Sequence, residues 1–181
     1  PENKGINFIR LSNSTALFAA LRTGEIDVLI SNAIDEDQRL TLHRMTKKGN
    51  LKEGSGNALE IGYITFLSNT APLSDTLLRK ALSHSLDRNL ISQRVSYGQR
   101  KPLRSLVPPS LKRNTDANWP SYDPKIATKL FRKAGYCEGR KLILPFTFRS
   151  NIPADKLLAL TWQAQIKRDL SNCLALKLNG V

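Results

Sequence analysis

His84 stands between two serines, Ser83 and Ser85, and a nucleophile next to a base is the first chemistry to test. The spacing fails the test, because neighbouring positions on a helix point about 100° apart and neither hydroxyl is aimed at the ring. The other histidine, His43, also falls in a helical stretch, with no Cys, Asp or Glu at ligand spacing. The chain carries no G-x-S-x-G, H-E-x-x-H or C-x-x-C pattern and no phosphate-cradling glycine loop. No catalytic residue, metal ligand or cofactor is therefore expected. Two cysteines remain, Cys137 and Cys173, each just ahead of a β-type run (Lys141–Phe148 and Leu174–Leu178) with one long helical pattern between. That order is a βαβ unit, whose strands run parallel. The cysteines then sit at the same end of neighbouring strands, and either a bridge or two free thiols fits the pattern.

The elements that would position these groups follow from periodicity. Ile6–Leu11 alternates as a strand, and Ser12-Asn13-Ser14 caps a helix carrying Leu17, Phe18 and Leu21 that Gly24 stops. Ile26–Ile30 reads as a buried strand and Asp35–Lys48 as a helix, acidic first and basic last as the helix dipole prefers. Leu59–Leu67 reads as a long strand. Ser74 and Asp75 open the next helix, whose stripe is Leu78, Ala81, Leu82, Ser85 and Leu86. Asp75 and Arg79, and Asp87 and Arg88, are expected local ion pairs, with Asp87 also capping a helix that ends near Gly98. After a Pro-rich loop from Leu103 to Pro120, Asp123-Pro124 starts a helix that Gly135 ends, burying Ile126, Ala127, Leu130, Phe131 and Ala134. A strand, Leu142–Phe148, a helix, Pro153–Leu170, and a final strand near Val181 complete an α/β unit.

The chain has 181 residues and a formal net charge of +13. Residues 1–60 hold 8 Lys and Arg against 8 Asp and Glu, whereas 61–181 hold 20 against 7. That break coincides with the Gly-rich stretch 49–62 and places a boundary between two units, 1–60 and 61–181. The excess charge attracts anions in general, or is simply a solvated face. The basic residues are dispersed, without zinc-finger, helix-turn-helix or RNP-type patterns, so nucleic acid is not the expected partner; a basic nucleic-acid-binding domain is the alternative reading. No apolar run reaches the 18 residues a membrane span needs. The opening Pro-Glu-Asn-Lys has no signal-peptide pattern.

Residues 69–110 carry the most specific order of pieces: Asn69-Thr70, Pro72-Leu73, Asp75 to Arg79 to Ala81-Leu82, Asp87-Arg88, Gly98 and Pro108-Pro109. This succession resembles the extracytoplasmic solute-binding proteins of family 5, the peptide, dipeptide and nickel receptors of ABC importers. Leu21–Val28 is similar to the family's Gly-Glu-Ile-Asp turn, and Tyr122-Asp123-Pro124 through Ala134-Gly135-Tyr136 to its "YDP…AGY" helix. The resemblance implies the C-terminal lobe of a type II (cluster C) periplasmic-binding-protein fold, helices packed on a mixed sheet, preceded by a partial βαβα segment of lobe one. It implies capture of an oligopeptide or similar solute by hinge closure and delivery to an ABC permease, without catalysis. A sensor module keeping the fold is a further alternative. The location implied is periplasmic or extracytoplasmic, with membrane contact only through a lipid anchor or the permease. In such receptors the ligand lies between lobes, lined by crossing strands and strand-end loops. The resemblance thereby points to Tyr63, Thr65 and Asn69 on the crossing segment and to Arg149, Ser150 and Asn151 after the strand ending at Phe148. Arg149 is the expected partner of a ligand carboxylate. The family's acidic anchor for a peptide amine lies in a loop beyond the position of Val181, so the chain is expected to be one piece of a receptor and to bind weakly by itself.

Overall fold

The computed structural model describes residues 4–29, 34–54, 61–108, 110–111 and 119–181. Within them lie α1 (Ser14–Thr23), α2 (Glu36–Lys47), α3 (Thr76–His84), α4 (Arg88–Ser96), α5 (Pro124–Lys133), β1 (Leu142–Phe148), α6 (Pro153–Asp169) and β2 (Leu174–Gly180). Most helices begin where a short polar side chain meets an apolar stripe. Asn13, Asp35, Asp75, Asp87 and Asp123 each accept a backbone N–H of the first turn of the helix that follows. Asp35 and Gln38 form a reciprocal capping box, at 2.8 and 3.2 Å. The cap of α3 is Asp75 rather than Ser74: its carboxylate accepts from Leu77 N at 2.7 Å, where a full charge faces the positive end of the helix.

β1 and β2 pair in parallel, with Leu142 opposite Leu174 and Phe148 opposite Gly180, and α6 makes the crossover. Alternation gives the pair one inner face, where Leu142, Leu144, Leu174 and Leu176 are buried, while Ile143 on the outer face is 67% exposed. Onto the inner face pack Leu78, Ala81 and Leu82 of α3, Ala127 and Phe131 of α5, and Trp162 and Ile166 of α6. Ile126, read as part of the buried stripe of α5, is instead 42% exposed, because the contact with α3 turns on Ala127 and Phe131. Among the described residues the sheet is this parallel pair.

The cysteines form a disulfide, Cys137–Cys173, 36 residues apart. Cys173 immediately precedes β2 and its carbonyl accepts from Leu142 N, so the bridge ties the N-terminal edge of the strand pair. Among the described residues, three expected strands form no ladder. Residues 6–11 and 61–67 carry no ladder, and neither do 26–29, which bend at 27 and leave Val28 69% exposed; Ile30, Leu59 and Glu60 lie outside the described residues. Period-two alternation fixes which side of a segment is apolar, but a strand also needs a hydrogen-bonding partner, and these three form no ladder with any described segment. Residues 61–67 keep their alternation, with Ile64 and Phe66 packed on the core.

The two expected local ion pairs are replaced by longer-range ties. Arg79 donates to the carbonyls of Leu73 and Ser74, closing the turn ahead of α3. Arg88 donates to Leu103 O at 3.3 Å and Pro120 O at 3.0 Å, holding both ends of the Pro-rich loop, of which 109 and 112–118 are outside the described residues. The next residues are pinned as well: Ser121 O accepts from His84 Nδ1 at 2.8 Å and Asp123 N donates to His84 O at 2.9 Å. The Asp75 and Asp87 carboxylates are engaged by the backbone N–H groups they cap, and carbonyls that lack ladder partners need donors. Tyr97 and Gly98 close α4 in the left-handed region, at φ 48° and 80°. Glycine is favoured at 98 by that backbone conformation, whereas the nearest atom to an added Cβ, at 2.6 Å, is the mobile end of the Gln93 side chain, which can swing aside.

Two outcomes follow. Closing a loop of this length is worth about 3–4 kcal/mol. Urea unfolding of the native chain should therefore weaken by that amount on adding a reductant, and a Cys137→Ser/Cys173→Ser variant should show no reductant response. Replacing Arg88 with Met should cost about 1.5–3 kcal/mol for its charged hydrogen bonds. Limited proteolysis of that variant should cut between 103 and 120 faster than in the native chain.

Candidate functional site

Parallel strands deliver their C-terminal ends to one edge, which in open α/β sheets is where ligands bind. Here that edge is opposite the disulfide. β1 ends at Phe148 and β2 at Gly180, and the chain closes the edge with Val181 N to Phe148 O, 3.0 Å, and Ser150 N to Val181 O, 2.8 Å. Ser150 Oγ donates to the same carbonyl at 2.9 Å, so its side chain is committed to shaping the loop. Arg149 pairs through Nε with Asp155 Oδ2 at 2.7 Å, on the first turn of α6. A protein carboxylate thus occupies part of the fork expected to meet a ligand carboxylate. The third member of the triplet, Asn151, is exposed and faces a cleft.

That cleft, about 450 Å³, is lined on one side by Asn151 and Ile152 and on the other by Arg10, Leu11, Ser12, Asn13, Ser14 and Leu17. The second wall is the start of α1. Asn13 Oδ1 is used in accepting from Ala16 N at 2.8 Å, and its amide nitrogen points to Ser12 Oγ at 3.4 Å. The cleft therefore offers amide and hydroxyl groups and one guanidinium around an apolar floor of Leu11, Leu17 and Ile152. This mixture suits a solute with backbone amides and a negative end. In sequence, Arg10, Ser12, Asn13 and Ser14 carry only the pattern of a strand and a helix cap. The polar run Ser12-Asn13-Ser14 directly after an apolar segment was the available signal.

The structure brings Arg149, Ser150 and Asn151 together at one strand end. Tyr63, Thr65 and Asn69 lie on the separate 61–70 segment and face outward: Tyr63 is 69% exposed, and Asn69 Oδ1 accepts from Thr70 Oγ1 at 3.3 Å. The histidines are placed as scaffolding. Ser83 Oγ donates to Arg79 O and Ser85 Oγ to Leu82 O, each away from His84, while His43 meets Glu53 at 2.7 Å. No cluster of three metal-capable side chains occurs among the described residues.

A second charged cluster closes the far end of α6. Tyr122 donates to Asp169 Oδ2 at 2.6 Å, and Arg168 donates to both Asp169 oxygens at 2.7 and 2.8 Å and to Tyr122 Oη at 2.9 Å. The hydrogen bonds from Arg168 hold the Asp169 carboxyl below its ordinary range, against a smaller opposing effect of burial. Burial, then the hydrogen bond to Asp169, pushes the Tyr122 phenol up.

The architecture recurs in solved structures. A dipeptide-binding protein of a Pseudoalteromonas species, crystallised with Met-Leu, superposes with a TM-score of 0.76 over 93% of this chain and 32% of its own, at 25% identity. Haemophilus influenzae OppA, crystallised with RPPGFSPFR, gives 0.71 over 93% and 33%, at 21% identity, a likeness of fold alone. The chain has the fold of part of a type II periplasmic binding protein. Residues 1–170 match the family described as "Bacterial extracellular solute-binding proteins, family 5 Middle", and the chain belongs to that family. Its relatives include Heme-binding protein A of Haemophilus influenzae, 30% identical over 130 residues, and the Dipeptide-binding protein of Escherichia coli, 27% identical over 141. These alignments take in 70% and 77% of this chain but 22% and 25% of the relatives.

The cluster at Asp169 predicts a pH signature. A carboxyl held below its unfolded value stabilises the fold above about pH 4 and loses that contribution as pH falls through its folded value. A phenol raised above its unfolded value contributes below about pH 10 and ceases to do so as pH climbs through the folded value. The stability difference between the native chain and Asp169→Asn should be level from about pH 5 to 9 and shrink on both sides. Denaturant melts across that range measure it, and a difference that grows in acid contradicts the assignment.

Proposed function

We propose that the chain is the ligand-capturing part of an ABC-importer substrate-binding protein for oligopeptides or similar solutes, with residues 1–60 a segment of one lobe and 61–181 an incomplete C-terminal lobe. The observation that carries this reading is the cleft in which Asn151, in the loop after β1, faces Arg10, Ser12 and Asn13 at the start of α1. A cleft whose walls come from both sides of the 1–60/61–181 division can tighten when the units rotate together, as hinge closure requires. Arg10 supplies the cation for an anionic end of the solute, Asn13 and Asn151 the amides for its backbone, and Leu11, Leu17 and Ile152 the apolar floor. Tyr63, Thr65 and Asn69 stand on the segment joining the two units, where closure would bring them towards the solute. Arg149, held by Asp155, serves as a positioning residue for the loop, with Ser150 fixing its turn. Peptides, dipeptides and porphyrins are the solute classes that the relatives' names suggest. The permease of the importer is the proposed partner, and the periplasm or outer face of the membrane, with or without a lipid anchor, the proposed location.

The test is a thermal-shift titration of the intact receptor against pools of dipeptides, longer peptides and heme. One pool should raise the transition, by about 2.7 kcal/mol of stabilisation at a hundred times the dissociation constant. Asn151→Ala and Arg10→Ala should each weaken that solute, by about 0.5–1.5 kcal/mol for a neutral hydrogen bond and about 1.5–3 for a charged one. Response to no pool, or full affinity in both variants, removes the cleft from the proposal.

A further inference from the structure

A second groove, about 680 Å³, runs between α5 and the C-terminal end of α6. Its rim carries Lys125, Lys129, Arg132 and Lys133 from α5 and the Arg168–Asp169 pair from α6. The spacing of 125, 129, 132 and 133 places these four on one helical face, over about 12 Å of axis at 1.5 Å per residue. They are poorly neutralised. Asp169 is engaged by Arg168 and Tyr122. Glu138 reaches Arg132 only at 3.7 Å, with both side chains largely exposed. Lys125, Lys129 and Lys133 are exposed and form no ion pair among the described residues. The hydroxyl of Thr128, between them, is turned inward to Pro124 O at 2.8 Å.

We infer that this face of α5 seats the chain electrostatically on an anionic lipid bilayer. A row of charges along a helix matches a planar, repeating array of headgroups, whereas a free phosphate or small anion needs donors that converge on one point. Three of the four rim charges on α5 are lysines, hydrated point charges that suit headgroups more than the bidentate geometry of base recognition. The groove shows no aromatic ring among the described residues on which a single-stranded base could stack. Ile126, exposed on the adjacent face of α5, gives the contact an apolar neighbour. The inference rests on the receptor reading only in supposing that a bilayer is at hand; adsorption to lipid is measured without any solute.

Flotation of the chain with phosphatidylcholine vesicles, alone or with roughly a third phosphatidylglycerol, tests it. Binding is expected to the anionic vesicles and not to the neutral ones, and to fall steeply as salt rises through the physiological range. Lys125→Gln/Lys129→Gln/Lys133→Gln should lower the partition coefficient on the order of 100-fold, about fivefold per lysine. Lys47→Gln/Lys48→Gln/Lys52→Gln, with the same change in net charge, should leave it within about twofold. The three single replacements, each expected to lose about fivefold, keep the test decisive if the triple variant does not fold. Equal loss in both triples, equal binding to neutral vesicles, or tighter binding of an oligonucleotide or inorganic phosphate than of anionic vesicles overturns the inference. Failure here with a solute response intact would leave the receptor reading standing.

Discussion

Trp162 is the contact on which the arrangement depends. It is 1% exposed, its ring meets Phe146 of β1 edge-on at 5.3 Å, and its Nε1 donates to Ser85 Oγ at 3.1 Å. One side chain therefore joins the strand pair, the crossover helix and the turn between α3 and α4. Burying an indole of this size contributes about 4–6 kcal/mol of transfer free energy, before the entropy of ordering it. The buried N–H would cost much of that without a partner. Ser85 serves because its own hydroxyl is oriented by donating to Leu82 O at 2.7 Å. Three residues along α6, Gln165 repeats the device, exchanging hydrogen bonds with the backbone of Asp87 at 3.2 and 3.4 Å. With α6 fixed against α3 and α4, the direction of β2 follows, and β1 and β2 open on a common edge.

This dependence explains which parts of the chain were legible in its sequence. The helices are written locally, in caps and stripes, and α5 begins at Asp123-Pro124 as those residues require. The parallel pair is legible because its two apolar runs flank a helix of the right length, and the cysteines were placed correctly at one end of it. Asp87 and Arg88 were legible as a cap but not as a clamp. Nothing in the order of residues says that Leu103 O and Pro120 O lack other donors, so the reach of Arg88 across 15 and 32 positions is invisible until the loop is folded. Residues 6–11, 26–29 and 61–67 form no strand among the described residues for the complementary reason, since a strand is a relation between segments and each of these stretches holds only one member of it.

The candidate site divides in the same way. Asn151 is pointed to by the resemblance, as part of a polar triplet after a strand end, and the structure sets it against the cleft. Arg10, Ser12 and Asn13 could not be found in this way, because their proximity to position 151 depends on how α1 lies against the strand end. Arg149 shows the limit of residue type as a guide: a guanidinium beside a cleft suggests a ligand carboxylate, yet Asp155, six positions on, already accepts from it at 2.7 Å. Ser150, equally polar, is spent on the Val181 carbonyl.

The same accounting separates charges that build the molecule from charges that face outward. Arg39 is tied to Glu36 and Gln99, Tyr97 donates to Asp37 at 2.6 Å, and these contacts between α2 and the end of α4 hold the leading segment to the rest. Arg79 and Arg88 are absorbed by carbonyls, and Arg168 by Asp169. The arginines just named are structural because a planar fork with several fixed donors can satisfy two acceptors at once. The lysines along α5 make no such bonds among the described residues, and their compact ammonium groups stand on flexible, exposed stems. The +13 of the sequence is therefore two populations, and the lysines on α5 belong to the one that is free to attract an anionic surface without loosening the fold.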